Sequence, residues 1–484
     1  MTTAQRALRF GVIGSGMSGI LSVIKLREAG YDDITVFEKA DRMGGTWREN
    51  TYPGIACDVP SHLYSYSFAP NPGWTHVFSS GDEILAYFEQ VARDHDVERI
   101  IRFGDEVTSC DYADGKWTVR TASGFTDTFD VVIAATGVLH HPAYPDIPGL
   151  DSFGGATFHS ARWDHSVPLD GARVGVIGTG STAVQITAAL GPRAGHLALF
   201  QRTAQWVLPQ ANPEYTAAER EHFASDPELL MTLHDNLAEA FGTFARAVID
   251  ADSDAIKMIQ QACLDNLDTV KDPELRERLR PDYRAGCKRL VVSPDFYDAV
   301  QLPTVELVTE KIQGIEPEGV RTVDGELHDL DVLVLATGFD AGAFMRPMNI
   351  TGRSGVTLEQ AWTPRPNAYL SISMPDFPNL FMLNGPNGPV GNFSLIEVAE
   401  KQFEYILQLI ALLRDGAATE VAPKAAAMEA HEAARVEAAQ GSIWVTGCRS
   451  WYLDDRGVPA TWPWTFDHFR EVMAHPDLSA YELT

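Results

Sequence analysis

Residues 8–38 read LRFGVIGSGMSGILSVIKLREAGYDDITVFE and carry the strongest indication of the fold. The apolar run at residues 8–13 predicts a strand, and a GxGxxG turn, Gly14-Ser15-Gly16-Met17-Ser18-Gly19, follows it. Apolar residues at helical spacing then predict a helix that ends at Gly30. The next predicted strand, residues 34–37, ends at Glu38, which is 19 residues after Gly19. This order of strand, glycine turn, helix, strand and acid is typical of a dinucleotide-binding βαβ unit.

The three fingerprint glycines of this turn have different physical roles. Gly14 allows the tight turn, Gly16 lets the backbone approach a pyrophosphate, and Gly19 lets the helix pack closely on the strand. The N-terminus of the helix then faces the phosphates. Glu38 accepts both hydroxyls of an adenosine ribose and repels a 2′-phosphate, so this first site is predicted to bind FAD or NAD rather than NADP.

Residues 172–203 repeat the arrangement with the opposite charge at its end. A strand over residues 172–177 is followed by GTGSTA, the alanine-ended form of the fingerprint, and by a helix. The next strand, residues 196–200, leads to Arg202, whose guanidinium can pair with a 2′-phosphate. This second site is therefore predicted to bind NADP. Its candidate contact residues are Gly178, Gly180, Ser181, Thr182, Gln185, Arg202 and Thr203.

Two dinucleotide sites in one chain indicate hydride transfer from NADPH to a flavin. Residues 130–137 (DVVIAATG) and 331–338 (DVLVLATG) each predict an apolar strand ending in ATG. We interpret both as crossings between the two nucleotide domains. Asp340 follows the second crossing, where it either reaches a flavin ribityl or phosphate group or is an ordinary turn carboxylate.

The composition of the 484 residues excludes several other classes of protein. The formal net charge of −28 argues against a nucleic-acid partner and against docking on an anionic membrane. The chain shows no signal peptide and no apolar run long enough to span a bilayer. Its five cysteines form no CxxC pair, which argues against a disulfide scaffold and a zinc ribbon. Free thiols and a cytoplasmic location are therefore expected.

Further motifs resemble those of the Baeyer–Villiger monooxygenases. Gly44-Gly45-Thr46-Trp47 is followed by Tyr52-Pro53-Gly54, by Cys57-Asp58 and by YSYSF at residues 64–68. Residues 153–164, FGGATFHSARWD, match that family's FxGxxxHxxx(WP/WD) motif. The matching positions are Phe153, Gly155, His159, Trp163 and Asp164. The resemblance extends from about residue 8 to about residue 400, and more loosely to the end of the chain.

This resemblance implies FAD and NADP as cofactors and a ketone and O2 as substrates. It places the family's active-site arginine at Arg289 and its orienting aspartate at Asp58, with Lys288 as a second contact to the 2′-phosphate. Gly45, Thr46, Trp47 and Asp58 are carried over as flavin-side residues, and His159 is assigned a conformational role at a hinge. A fixed cation beside a C4a-peroxyflavin favours its anion, which attacks the ketone carbonyl to give an ester or lactone.

The sequence as a whole predicts an α/β fold with two Rossmann-like dinucleotide-binding domains and a helical insertion. The FAD-binding domain is predicted at residues 1–145 and 340–484, and the NADP-binding domain at residues 146–212 and 285–339. Residues 213–284 are predicted to form the helical insertion on the substrate side. Oligomeric state and the particular ketone do not follow from the sequence.

Three other functions use the same scaffold. The main alternative is an N- or S-oxygenating flavin-containing monooxygenase, which does not need Arg289. The others are a non-oxygenating NADPH oxidase or flavin reductase and a catalytically silent nucleotide sensor. The presence of both Asp58 and Arg289 argues against these last two.

Overall fold

The computed structural model describes residues 6–389, 391, 393–450 and 452–484. The strands are β1 (Phe10–Ile13), β2 (Ile34–Phe37), β3 (Ile101–Arg102), β4 (Val107–Ala113), β5 (Lys116–Thr121), β6 (Thr126–Phe129), β7 (Val131–Ala134), β8 (Ala156–His159), β9 (Arg173–Ile177), β10 (His196–Phe200), β11 (Val207–Leu208), β12 (Val291–Val292), β13 (Val305–Val308), β14 (Ile312–Glu316), β15 (Gly319–Thr322), β16 (Leu327–Asp329), β17 (Val332–Leu335), β18 (Asn349–Thr351), β19 (Leu380–Met382), β20 (Val421–Pro423) and β21 (Tyr481–Leu483). The α-helices are α1 (Met17–Glu28), α2 (Thr46–Glu49), α3 (Gly81–Asp94), α4 (Ser181–Leu190), α5 (Ala217–Ser225), α6 (Pro227–Ile249), α7 (Asp254–Leu267), α8 (Pro273–Arg278), α9 (Phe296–Val300), α10 (Leu358–Ala361), α11 (Leu395–Arg414), α12 (Ala425–Ala439) and α13 (Phe466–Ala474).

The first five-stranded sheet has the order β3-β2-β1-β7-β19 and is parallel throughout. Strands β1 and β7 are buried at every position, which is why they read in the sequence as continuous apolar runs. A separate sheet of β18, β4, β5 and β6 packs beside it, and β4–β6 form an antiparallel meander inserted before β7. Helix α1 leaves the carboxyl end of β1, the edge at which parallel sheets bind ligands.

The second five-stranded sheet has the order β13-β10-β9-β17-β8 and is also parallel. It repeats the plan of the first sheet, with β9 and α4 in the places of β1 and α1. Here too an antiparallel meander, β14–β16, is inserted before the strand that ends in ATG. The predicted fold class, α/β with two dinucleotide-binding domains, is therefore confirmed, whereas the exact domain boundaries stay a prediction.

Four helices, α5–α8, form the predicted helical insertion between β11 and β12. Asp226 caps α6 by accepting a hydrogen bond from the backbone N–H of Leu229, and Asp272 caps α8 by accepting from that of Glu274. Each of the two helices has proline at its first position, where the missing N–H costs nothing. Within the described part of the chain, no helix is long and apolar enough to cross a membrane.

The expectation that all cysteines stay free is wrong for two of them. Cys287 and Cys448 form a disulfide across 161 residues of sequence, with their Cα atoms 6.1 Å apart. Sequence spacing does not reveal such a pair because only the folded chain brings the two residues within the distance that a disulfide requires. Cys57, Cys110 and Cys263 are free and buried, as expected. The cytoplasmic location stays a prediction.

We expect three thiols to react when the protein is denatured without reductant, because two of the five cysteines are paired. After reduction, all five should react. A bond that closes so long a loop is worth about 2–5 kcal/mol, so reduction should also lower the free energy of unfolding. Thiol titration and urea unfolding, each with and without reductant, measure the two effects. Five reactive thiols in the unreduced, denatured protein would contradict the disulfide.

Candidate active site

The turn between β1 and α1 contains glycines, so no side chain covers the backbone at these positions, as the first fingerprint predicts. Gly14 has φ +104°, and a Cβ atom there would stand 2.4 Å from the carbonyl oxygen of Ala135. A Cβ on Gly19 would stand 2.0 Å from the carbonyl oxygen of Gly14. Gly16 faces Gly45, with 3.2 Å between an added Cβ and the Gly45 Cα. Only glycine fits at Gly14 and Gly19, and at Gly16 the backbone is open to close approach, so this cradle suits the pyrophosphate of a dinucleotide.

Glu38 lies at the end of β2, directly beside this turn. Its buried carboxylate accepts hydrogen bonds from the backbone N–H and the hydroxyl of Ser15 at 2.9 and 2.8 Å. It also accepts from the backbone N–H of Ala40 and pairs with Arg48 at 3.1 Å. The sequence singled out Glu38 but gave no sign of the Arg48 partner, which balances the charge of the buried carboxylate.

The Gly45-Thr46-Trp47 segment begins the short helix α2 beside the same turn. Gly45 has φ +54°, in the left-handed region that favours glycine. The indole N–H of Trp47 donates to the hydroxyl of Tyr64 at 3.2 Å, and the two rings meet edge to face. Thr46 is exposed. These contacts place the motif next to the predicted flavin site, and its role there stays a prediction.

The turn between β9 and α4 repeats the cradle. Gly178 has φ +127°, and a Cβ there would stand 2.2 Å from the carbonyl oxygen of Ala336. A Cβ on Gly180, in contrast, would meet no atom within 4 Å, so there is open space in front of this turn. Ser181 is the first residue of α4, where free backbone N–H groups point out of the helix. The arrangement fits a second pyrophosphate.

Thr182 and Gln185, two predicted contact residues on α4, form hydrogen bonds with Tyr52. The sequence did not assign this tyrosine to the site. The Tyr52 hydroxyl donates to Gln185 at 2.8 Å, and the Gln185 amide donates to the Ala56 carbonyl at 3.0 Å. Thr182 also reaches the Tyr52 hydroxyl, at 3.5 Å. Burial raises the pKa of Tyr52 to about 12, so it stays a neutral donor. Gln185 and Thr182 thus join the two nucleotide units to each other.

Arg202 and Lys288 form a pair of neighbouring cations at the second site. Arg202 is exposed, and Thr203 beside it accepts through its carbonyl from the Thr179 hydroxyl at 2.8 Å. Burial lowers the pKa of Lys288; attraction from Asp282 opposes this shift, and repulsion from Arg202 adds to it. The Lys288 ammonium lies over the ring of Tyr283, 4.3 Å from its centroid. Two adjacent cations fit the 2′-phosphate of NADP.

Arg289 and Asp58 meet although they are 231 residues apart in sequence. The guanidinium donates to the carboxylate at 2.5 Å, and the side chains are only 34% and 28% exposed. The Asp58 carboxylate raises the pKa of the Arg289 guanidinium above its usual value, so the arginine is a permanent cation. The pairing that the resemblance implied is therefore present in the fold, joining the segment that follows the helical insertion to the first nucleotide unit.

The motif at residues 153–164 lies where the chain crosses between the two sheets. His159 is the last residue of β8, its Nδ1 accepts from the backbone N–H of Ala161 at 3.1 Å, and its ring contacts Tyr144 and Phe339. Backbone bonds join the two crossings at Ala143 and Gly338. His159 thus contacts both connections, as a hinge residue would, although its role in motion stays a prediction.

The other motif residues make separate contacts along the same stretch of chain. A Cβ on Gly155 would stand 2.2 Å from the carbonyl oxygen of Asp331, so glycine is required there. Phe153 packs into the core beside β17, and Trp163 meets Phe158 edge to face. Asp164 accepts from the hydroxyl and backbone N–H of Ser166. These contacts are structural.

Asp340 is exposed and accepts from the backbone N–H of Gly342 at 3.0 Å. This is the geometry of a turn carboxylate, one of the two interpretations that the sequence left open. A flavin contact for Asp340 stays a prediction.

Known proteins that are similar to this chain are monooxygenases, which agrees with the two dinucleotide sites. The family model described as flavin-binding monooxygenase-like matches residues 7–217. An uncharacterized monooxygenase of Mycobacterium tuberculosis is 48% identical over 98% of this chain and 95% of its own length. A Baeyer–Villiger monooxygenase of Streptomyces coelicolor is 38% identical over 98% and 92%. The structure of cyclohexanone monooxygenase from Rhodococcus sp. Phi1 bound to NADP+ matches with a TM-score of 0.88 and 30% identity, covering 99% of this chain and 100% of that one.

Two dinucleotide cradles and a half-buried Arg–Asp pair define a flavin-dependent monooxygenase that uses FAD and NADP. More narrowly, the chain belongs to the Baeyer–Villiger monooxygenase family, as its motifs indicated.

Proposed function

We propose that this enzyme converts a ketone to an ester or lactone by inserting one oxygen atom of O2 beside the carbonyl carbon. The 2.5 Å pair of Arg289 with Asp58 carries the proposal. N- and S-oxygenation on the same scaffold needs no such cation. A ketone oxidation needs it, because negative charge develops on oxygen atoms as the carbonyl is attacked.

FAD, reduced by NADPH, supplies the activated oxygen when it is bound. We assign the FAD to the cradle of Gly14, Gly16 and Gly45 beside Glu38. We assign the NADP to the turn at Gly178–Gly180, with its 2′-phosphate on Arg202 and Lys288.

Arg289 stabilises the developing charge because it stays protonated and presents N–H donors in a rigid plane. One third of the Arg289 side chain remains exposed, so the bond to Asp58 does not occupy the whole guanidinium. Asp58 holds the guanidinium through one oxygen atom at 2.5 Å and fixes its direction. A guanidinium fixed before the reaction needs no reorganisation when the charge develops, which is the condition for effective electrostatic catalysis.

The test is NADPH consumption with a panel of cyclic, aryl and linear ketones and one thioether, with every product identified. Formation of an ester or lactone supports the proposal. Oxidation of the thioether alone, with no ester from any ketone, would overturn it in favour of N- or S-oxygenation.

The helical insertion should set which ketones react. Phe244 on α6 is half-buried against a cluster that contains Cys287, which lies two residues before Arg289 in the sequence. Phe244→Ala should therefore change the ratio of kcat/KM between an aryl and a small cyclic ketone by about tenfold. A change of this size is expected when a hydrophobic pocket loses methylene contacts with one of two substrates. The FAD content should stay constant, because α6 lies outside both cradles.

Met231→Ala on the same helix is the matched control, since that side chain is 64% exposed. It should leave the ratio unchanged. Loss of FAD in Phe244→Ala would show that the insertion is structural core instead of a determinant of substrate range.

A further inference from the structure

Two histidines and two glutamates lie together beside the edge strand of the second five-stranded sheet. Glu306 on β13 contacts both histidines: its Oε2 atom is 3.1 Å from the His196 Nε2 atom and 3.5 Å from the His328 Nδ1 atom. Metal-binding atoms of Glu306, Glu326 and His328 all lie within 4.8 Å of one another. Four side chains that can bind a metal therefore converge at the Glu306 carboxylate.

The second sheet holds His196 and Glu306 on one of its faces. In the parallel register of β10 and β13, Glu306 stands beside Ala198, two residues after His196. Side chains alternate between the two faces of a sheet, so these three residues share a face. His196 begins β10, whereas Arg202 follows the other end of that strand. The cluster is therefore separate from the predicted contact to the 2′-phosphate.

The β14–β16 meander brings the other two side chains to the same place. His328 is the middle residue of β16, and its ring meets that of Phe200 edge to face. Glu326 precedes β16 in a hairpin turn, where its backbone N–H donates to the Asp324 carboxylate at 3.3 Å. Two ligands thus come from the sheet and two from the meander that packs on it, so an ion bound here would join the two.

The burial of His328 distinguishes this cluster from an ordinary group of surface charges. Its side chain is only 5% exposed, and its Nε2 atom has no hydrogen-bond partner among the described residues. Buried polar side chains are normally hydrogen-bonded, so an imidazole in this position calls for an explanation. The Nδ1 atom faces the Glu306 carboxylate, which directs the buried ring into the cluster.

Two imidazoles and two carboxylates suit zinc better than magnesium or calcium. Imidazole nitrogen is a common ligand of zinc, whereas magnesium and calcium take oxygen ligands. Ligands that hold zinc at about 2.0–2.1 Å in a tetrahedron stand about 3.3–3.4 Å apart. The distances from Glu306 to the two histidines, 3.1 and 3.5 Å, are close to this spacing. The two carboxylates also balance the charge of a divalent ion.

The cluster is open to solvent on the side of His196 and Glu306, whose side chains are 36% and 38% exposed. Zinc can therefore enter from solvent. It takes the place of the proton between the His196 Nε2 atom and the Glu306 carboxylate, and the neutral imidazole then carries its proton on Nδ1.

We propose that His196, Glu306, Glu326 and His328 form a structural zinc site that fastens the β14–β16 meander to the second sheet. Protein atoms fill all four positions of a tetrahedral ion, which is the arrangement of structural zinc sites. The proposal does not depend on the ketone oxidation, because the site lies outside both cradles and away from Arg289 in sequence.

The test measures zinc binding by the FAD-loaded enzyme without an affinity tag, treated with a chelator and then dialysed against micromolar Zn²⁺. Metal analysis should find one ion per chain, and Co²⁺ in its place should show the absorption of a tetrahedral ion at longer wavelength than the flavin. Glu326→Gln and His196→Ala should each weaken zinc binding by at least about 100-fold. Loss of a group that only orients a ligand already costs about 10- to 100-fold.

His234→Ala is the matched control for these variants. His234 is 29% exposed, close to the 36% of His196, and faces the Asp235 carboxylate at 3.2 Å, outside the cluster. This variant should bind zinc as the wild type does. Zinc should also raise the temperature of unfolding of the wild type and of the control, but not of the two ligand variants, because an ion that binds only the folded state stabilises it.

Each result decides the proposal. One zinc ion per chain in the wild type, lost in both ligand variants while their FAD content and circular dichroism stay unchanged, supports it. Binding at the wild-type affinity in either ligand variant would overturn the four-residue site. Failure of the wild type to retain zinc would overturn it as well.

Discussion

Arg289→Ala should reduce flavin with NADPH at close to the wild-type rate but yield almost no ester. The loss in ester formation should be at least about 10²–10³-fold, the effect of removing one preorganised electrostatic stabiliser. Hydride transfer from NADPH to the flavin needs no such stabilisation, because no charge develops beside the guanidinium in that step. Stopped-flow reduction and product yield, measured on the same preparation, separate the two steps.

Asp58→Ala should be milder than Arg289→Ala, because the arginine stays charged and loses only its orienting partner. Arg280→Ala is the control: its side chain is 37% exposed, close to the 34% of Arg289, but it pairs with Glu277 on the surface. A surface pair of this kind is worth little, so this variant should keep its ester yield. If Arg289→Ala forms ester at the wild-type rate, the residue is misassigned and N- or S-oxygenation becomes the better proposal.

Arg202→Ala should reduce the preference for NADPH over NADH by about 10- to 100-fold. The 2′-phosphate would lose a charge-assisted hydrogen bond worth about 1.5–3 kcal/mol, whereas NADH, which lacks that phosphate, would lose nothing. Lys288→Ala should act in the same direction, since the two cations are neighbours. The measurement is kcat/KM for both nicotinamide cofactors with each variant.

Arg193→Ala serves as the control for this series. Arg193 is an exposed arginine of the same nucleotide unit, but it pairs with Asp170 at 2.8 Å and carries no predicted phosphate contact. Its removal should leave the preference intact. Equal use of NADPH and NADH by the wild type would contradict the assignment of the second site to NADP.

The sequence alone determined the two cradles. A glycine with positive φ, such as Gly14 or Gly178, is a local requirement, and the strand and helix that flank it have local hydrophobic patterns. Glu38 and Arg202 could be placed as well, because parallel strands bring their carboxyl ends to one edge of a sheet. The pairing of Asp58 with Arg289 was accessible only through the family resemblance, since no spacing rule relates residues that are 231 positions apart.

Only the tertiary structure decided what lies around these residues. The Cys287–Cys448 disulfide and the bond from Tyr52 to Gln185 each join segments more than a hundred residues apart. Such contacts depend on the path of the whole chain and leave no periodic or local trace in the sequence. For the same reason the sequence could name Gln185 as a candidate contact, but not the Tyr52 hydroxyl that donates to it.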